Sequence, residues 1–112
     1  MTDCLFCRIA SGEARADRVY EDDHAVAFRD INPAGPTHVL VIPRKHIATL
    51  SDLTAEDDAL VGHLVRVGAK VAAGDGRSDF RVAVNCGAGA GQSVFHLHLH
   101  VLGGRALGWP PG

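Results

Sequence analysis

Apolar residues along this chain change their spacing several times, and each change marks an element. Leu5, Phe6 and Ile9 recur at helical intervals after Asp3, a capping residue, and before Gly12, so a short helix is predicted through Ala10. Val19-Tyr20-Glu21 reads as a short strand, closed by the turn Asp22-Asp23. His24 to Asp30 alternates, with Ala25, Ala27 and Arg29 on one face and Val26 and Phe28 on the other. The loop Asn32-Pro33-Ala34-Gly35-Pro36 is rich in breakers. Thr37 to Ile42 is β-branched and largely apolar, the pattern of a central buried strand, and Pro43 ends it.

One long helix is predicted from Thr54 to Ala73. Thr54 is a good N-cap, and Glu56, Asp57 and Asp58 suit the positive end of the helix dipole. Leu60, Val61, Leu64, Val65, Gly68 and Val71 define its buried stripe, and Gly74 and Gly76 stop it. Phe80 to Asn85 reads as a strand, Gly87 to Gly91 as a loop and Ser93 to Leu102 as a last strand. The tail from Gly103 to Gly112 has little regular pattern. The order α-β-β-β-α-β-β, with short connections, predicts an α+β fold: an antiparallel sheet of about five strands, one long helix and a short N-terminal helix.

At 112 residues the chain is expected to form a single domain, residues 1–112, with one core. A net charge of −2 and the lack of a basic stripe argue against a nucleic-acid polymer as partner. No apolar run reaches the length of a membrane span, and Met1-Thr2-Asp3 does not open a signal peptide. A cytoplasmic location is therefore expected, with the three cysteines reduced. Seven histidines are a heavy load for so short a chain and direct attention to the last strand.

That strand reads His96-Leu97-His98-Leu99-His100. Side chains alternate along extended backbone, so the three imidazoles share one face while Leu97, Leu99 and Val101 enter a core. Three rings on one surface are costly to desolvate and add little to folding, which points to a nucleophile, proton carrier or metal ligand. The glycines at 87, 89 and 91 precede them in a loop whose amides suit an anion such as phosphate, and Ser93 adds a hydroxyl. Cys4-Leu5-Phe6-Cys7 has the spacing of a zinc half-site; redox chemistry is the other option, but no thioredoxin-like βαβ context follows. His24, His63 and Cys86 read as ordinary surface or packed residues.

The run His96-Leu97-His98-Leu99-His100-Val101-Leu102 resembles the signature of the histidine triad family, three histidines each followed by apolar residues. The likeness extends through Ala27-Phe28-Arg29-Asp30-Ile31, Pro36 to Ile47, Gly91-Gln92-Ser93-Val94 and Trp109-Pro110-Pro111-Gly112, the last similar to the Hint branch. The resemblance implies a purine nucleoside phosphoramidate hydrolase that passes through a nucleotidyl-histidine. His98 would be the nucleophile, with His100 and His38 flanking the phosphate. Asn85 and the amides of Gly91, Gln92 and Ser93 would hold the phosphate or its loop. Asp30 would bind the ribose hydroxyls, with the base between Leu5, Phe6, Ile9, Phe28 and Ile31. The resemblance also implies a homodimer, in which Trp109 would belong to a tail that reaches the partner's site.

The resemblance also implies a structural zinc on Cys4, Cys7, His46 and His96, which removes His96 from catalysis. Other branches of the family hydrolyse or phosphorolyse dinucleoside polyphosphates, an alternative here, as is a nucleotide-binding module with little turnover. Among the departures, Arg15 stands where many relatives have Pro, which is expected to bear only on the first loop. Gly108 precedes Trp109 where animal Hint proteins have His.

Overall fold

The alternation at 25–29 and 37–43 sorts side chains onto two faces of one sheet, and a helix covers each face. The structure is a computed structural model that describes residues 3–112; the sequence reading at Met1 and Thr2 lies outside them. It comprises α1 (Leu5–Ser11), β1 (Arg18–Glu21), β2 (Ala25–Arg29), β3 (Thr37–Pro43), α2 (Asp58–Gly74), β4 (Phe80–Ala83) and β5 (Leu99–Gly103), with short 3-10 turns at Leu50–Asp52, Ala55–Asp57 and Ala88–Ala90. All strand pairs are antiparallel, in the order β1-β2-β3-β5-β4. The α+β fold expected from the sequence is the one observed.

Ala25, Ala27, Val39, Val41, Leu97, Leu99 and Val101 form one buried face under Leu64, Val67, Val71 and Ala72 of α2. Gly68 of α2 sits directly on the sheet: a Cβ there would come within 3.2 Å of a Val101 methyl. The other face carries Val26, Phe28, Leu40 and Ile42, which pack on Phe6, Ile9 and Ala10 of α1. A seven-residue helix cannot hold itself in water. α1 is secured at its C-terminal end, where Arg44 donates to the Ala10 carbonyl (2.6 Å), Arg18 donates to that of Ile9, and Gly12 closes the last turn.

Several element boundaries differ from the sequence reading. Cys4 rather than Asp3 caps α1, its sulfur accepting from the Cys7 amide at 3.4 Å. Thr54 caps a 3-10 turn, not α2 itself, which starts at Asp58. Val65 is 48% exposed, and Val67 takes its place in the buried stripe. β4 ends at Ala83, not Asn85, and β5 begins only at Leu99. The residues before Leu99 leave the ladder because Leu97 donates to the Ile47 carbonyl (2.6 Å), a loop partner, and Phe95 is exposed. The side-chain alternation persists through this segment all the same.

At the C-terminal end of α2, Asp75 accepts two hydrogen bonds from Arg29 (2.6 and 2.9 Å) and one from Thr37 (2.8 Å). The Arg29 guanidinium, helped by Thr37 and Arg77, outweighs burial and holds the Asp75 carboxyl down at about 2. A depressed folded value means stability that is present above the ordinary carboxylate range and lost as pH falls towards 2. Asp75→Asn should therefore cost about 1–2 kcal/mol at pH 7, roughly 5–10 °C in melting temperature. It should also flatten the fall in stability between about pH 4 and 2, measured by thermal unfolding across that range.

Candidate active site and cysteine–histidine cluster

The face covered by α1 leaves a cleft of about 400 Å³ beside that helix, lined by Leu5, Phe6, Ile9, Phe28, Ile31 and Leu40 on its apolar side. Asp30, Ser93, His98 and His100 supply the polar wall. Ile31 is 91% exposed and forms the outer rim. Phe6 meets Phe28 edge to face at 5.4 Å and meets the His98 ring the same way at 5.1 Å, so the apolar slot runs straight up to the imidazole.

His98 is buried, and its Nδ1 lies 2.7 Å from the carbonyl oxygen of His96. A carbonyl only accepts, so Nδ1 carries the proton and Nε2 keeps its lone pair. The neighbouring pair is fixed by the opposite logic. The Ala34 amide donates to Nδ1 of His38 (2.9 Å), which places the proton of a neutral His38 on Nε2. That Nε2–H faces Nδ1 of His100 at 2.9 Å and Oδ2 of Asp30 at 3.3 Å. His100 thus receives at Nδ1 and presents an Nε2–H donor. Burial lowers the His100 pKa, the nearby rings of His98 and His38 lower it further, and Asp30 opposes them; the balance favours the neutral ring. Asp30, His38 and His100 stand close enough to share a metal ion. The Ala34 hydrogen bond makes His38 Nε2 a donor, however, and a donor cannot ligate.

Gln92 is buried away from the cleft. Its Oε1 accepts from the Gly87 amide (2.8 Å) and its Nε2 donates to the carbonyls of Ala48 (2.8 Å) and Val94 (3.1 Å), so it braces the glycine loop rather than meeting a ligand. The amides of Gly91 and Gln92 are spent inside the loop, on Ala88 and Gly87 carbonyls. This corrects the expectation that they face phosphate; of the loop residues, Ser93 and Val94 reach the cleft. Gly91 turns the loop with φ +96°, and a Cβ there would stand 3.6 Å from the Asn85 amide, so Asn85 backs the loop. Trp109 is 83% exposed and lies outside the cleft. Arg15, expected to matter only to the first loop, lines the cleft instead.

On the far side of α1, Cys4, Cys7, His46 and His96 converge. His96 Nδ1 lies 3.3 Å from Cys4 Sγ, 3.5 Å from Cys7 Sγ and 3.2 Å from His46 Nδ1; Cys7 Sγ lies 3.2 Å from His46 Nδ1. A tetrahedral zinc with these ligands has N–N and N–S edges of about 3.3–3.6 Å. Nε2 of His96 donates to the Pro43 carbonyl at 2.8 Å, which turns the Nδ1 lone pair towards the thiols. The donor set therefore fits a closed four-coordinate metal site, and His96, whose side chain faces away from solvent, has no path to a substrate.

The family model described as "Scavenger mRNA decapping enzyme C-term binding" matches residues 3–107. An uncharacterized HIT-like protein of Synechocystis is 53% identical over 111 residues, which cover 98% of this chain and 97% of that protein. A HIT family hydrolase from Legionella pneumophila superimposes with a TM-score of 0.96 at 48% identity, covering 98% of this chain and all of the other. A histidine triad protein from Clostridium difficile does so with a TM-score of 0.92 at 44% identity, covering 96% of each. Likeness at this level along the whole length, in sequence and in fold, means that the chain belongs to the histidine triad, or HIT-like, family.

Proposed function

We propose that the protein is a Hint-type hydrolase of purine nucleoside phosphoramidates, adenosine 5′-monophosphoramidate among them, acting through a covalent intermediate on His98. One observation carries the reading. The His98 ring gives its Nδ1 proton to a main-chain carbonyl and so keeps an open lone pair in a cleft that also holds Asp30. Relatives of the same fold are called hydrolases, which agrees with it.

Nε2 of His98 attacks the α-phosphorus. The P–N bond to the amine breaks, and its electron pair leaves on the amine nitrogen, which takes a proton from solvent at the open rim. Water then attacks phosphorus, the N–P pair returns to Nε2, and the proton from water goes to solvent. The products are a nucleoside monophosphate and an amine, and one hard step has become two. The Nε2–H of His100, held by His38, and the Ser93 hydroxyl donate to the phosphoryl oxygens as charge builds. Asp30 has accepting positions left after its bond from the Asn32 amide (2.8 Å) and takes two hydrogen bonds from the ribose cis-diol. Leu5, Phe6, Ile9, Phe28 and Ile31 enclose the base.

The reading includes a structural zinc on Cys4, Cys7, His46 and His96, supported by the edge lengths and by the Pro43 bond. It also includes a cytoplasmic homodimer. β4 closes one end of the sheet with an unpaired edge, and Val65, Phe80 and Trp109 leave apolar surface exposed. Among the described residues no helix is long and apolar enough to cross a membrane.

Brief mixing with adenosine 5′-monophosphoramidate, an alkaline quench and mass spectrometry test the chemistry. One adenylyl group on the peptide bearing His98, together with released AMP, is the expected result. Absence of both adduct and AMP with every purine phosphoramidate tried would overturn the proposal.

A further inference from the structure

We propose that Arg15 is a specificity-determining residue that reads the edge of the base and biases the cleft towards guanine. The inference rests on the nucleotide reading above. Two arginines line the cleft, Arg15 and Arg29. The Arg29 guanidinium is committed to Asp75 through two hydrogen bonds, at 2.6 and 2.9 Å. Arg15 is exposed, and among the described residues no hydrogen bond or ion pair engages its guanidinium. Its backbone is nonetheless held in place. The Ala14 amide donates to the Arg8 carbonyl (3.0 Å) and the Arg18 amide to that of Ala16 (3.1 Å), fixing the loop on both sides. The backbone is positioned, and the charged head remains available to whatever the cleft holds.

The chemistry of the ligand follows from what the rest of the cleft cannot do. Phe6, Ile9, Phe28 and Ile31 grip a purine by its faces and do not distinguish adenine from guanine. A guanidinium has donors only. Guanine offers two acceptors side by side, O6 and N7, and takes a guanidinium in bidentate fashion. Adenine sets an amino group beside N7, and its hydrogens oppose a donor. Turned towards that edge of the base, the Arg15 guanidinium adds attraction for one purine and repulsion for the other, which the apolar walls do not.

The test compares kcat/KM for guanosine and adenosine 5′-monophosphoramidates in the native protein, Arg15→Ala and Arg15→Lys. The native protein should favour guanosine by at least about fivefold, the low end for such a pair because this one sits at a wet rim. Arg15→Ala should bring the ratio to about unity, with the loss for guanosine in KM rather than kcat; Arg15→Lys, a single-point donor, should retain part of the bias. A native ratio within about twofold of unity, or a ratio that Arg15→Ala leaves unchanged, overturns the inference. If the native protein turns over neither substrate, the hydrolase reading fails and GMP and AMP titrations decide this one. A GMP preference that Arg15→Ala removes upholds it; equal affinities, or binding of neither, overturn it.

Discussion

His98→Gly should bind AMP and turn over no adenosine 5′-monophosphoramidate. The substitution removes the ring that presents an open Nε2 lone pair in the cleft, while Asp30 and the apolar slot stay in place. Loss of a nucleophile should lower kcat by more than about 10⁴-fold, because the remaining donors act only on charge that the attack creates. AMP affinity, measured by calorimetric titration, should change by less than about tenfold, since an imidazole beside phosphate contributes little to ground-state binding. A thermal melt distinguishes lost chemistry from lost fold. Turnover within about tenfold of the native protein would sink the covalent mechanism. So would a His98→Gly protein that still yields the adenylyl adduct.

Stripping metal from the cysteine–histidine cluster should lower the melting temperature by at least about 10 °C, given a metal bound far below its working concentration. The native protein, purified without chelator, should hold about one zinc per chain, and Cys4→Ser should hold less, because it removes one of the two soft thiolate donors of the site. The effect is expected to be large because α1 has only seven residues and the cluster ties its first turn to the segment after β3 and to His96. The same helix carries Phe6 and Ile9 into the cleft, so the loosened protein should also show a raised KM. A native preparation with zinc near zero by plasma emission, or a melt unmoved by chelator, would remove zinc from the account.

Strong periodicity was legible. The opposite faces of Val26 and Ala27 and the shared side of the three imidazoles follow from a repeat of two, and the burial of all of Thr37 to Ile42 follows from its unbroken β-branched, apolar run. Partner choice was not. Sequence shows which way Leu97 points, but not that its amide bonds to Ile47 and so keeps the segment out of the ladder. A hydrophobic stripe on α2 can be drawn through Val65 or Val67 with equal ease, and only the position of the sheet decides. The glycine loop showed that amides could gather, not that the Gln92 side chain would take one of them and that three others, at Ala90, Gly91 and Gln92, would bond within the loop. Tautomers were the least legible of all. His38, His96 and His98 are each set by one main-chain group, at Ala34, Pro43 and His96, and nothing in the side-chain pattern reveals which.

Between Phe95 and Leu102 the parity of a position decides its occupation. Odd positions 97, 99 and 101 fill the core under α2, and even positions 96, 98 and 100 belong to the cysteine–histidine cluster and the cleft. Hydrocarbon of similar volume can replace hydrocarbon on the odd side without disturbing the imidazoles. Losing or gaining one residue has no such mild version. It would rotate rings into hydrocarbon and leucines into water in a single event. Over generations this stretch can change its spelling on the buried side, but its length is frozen.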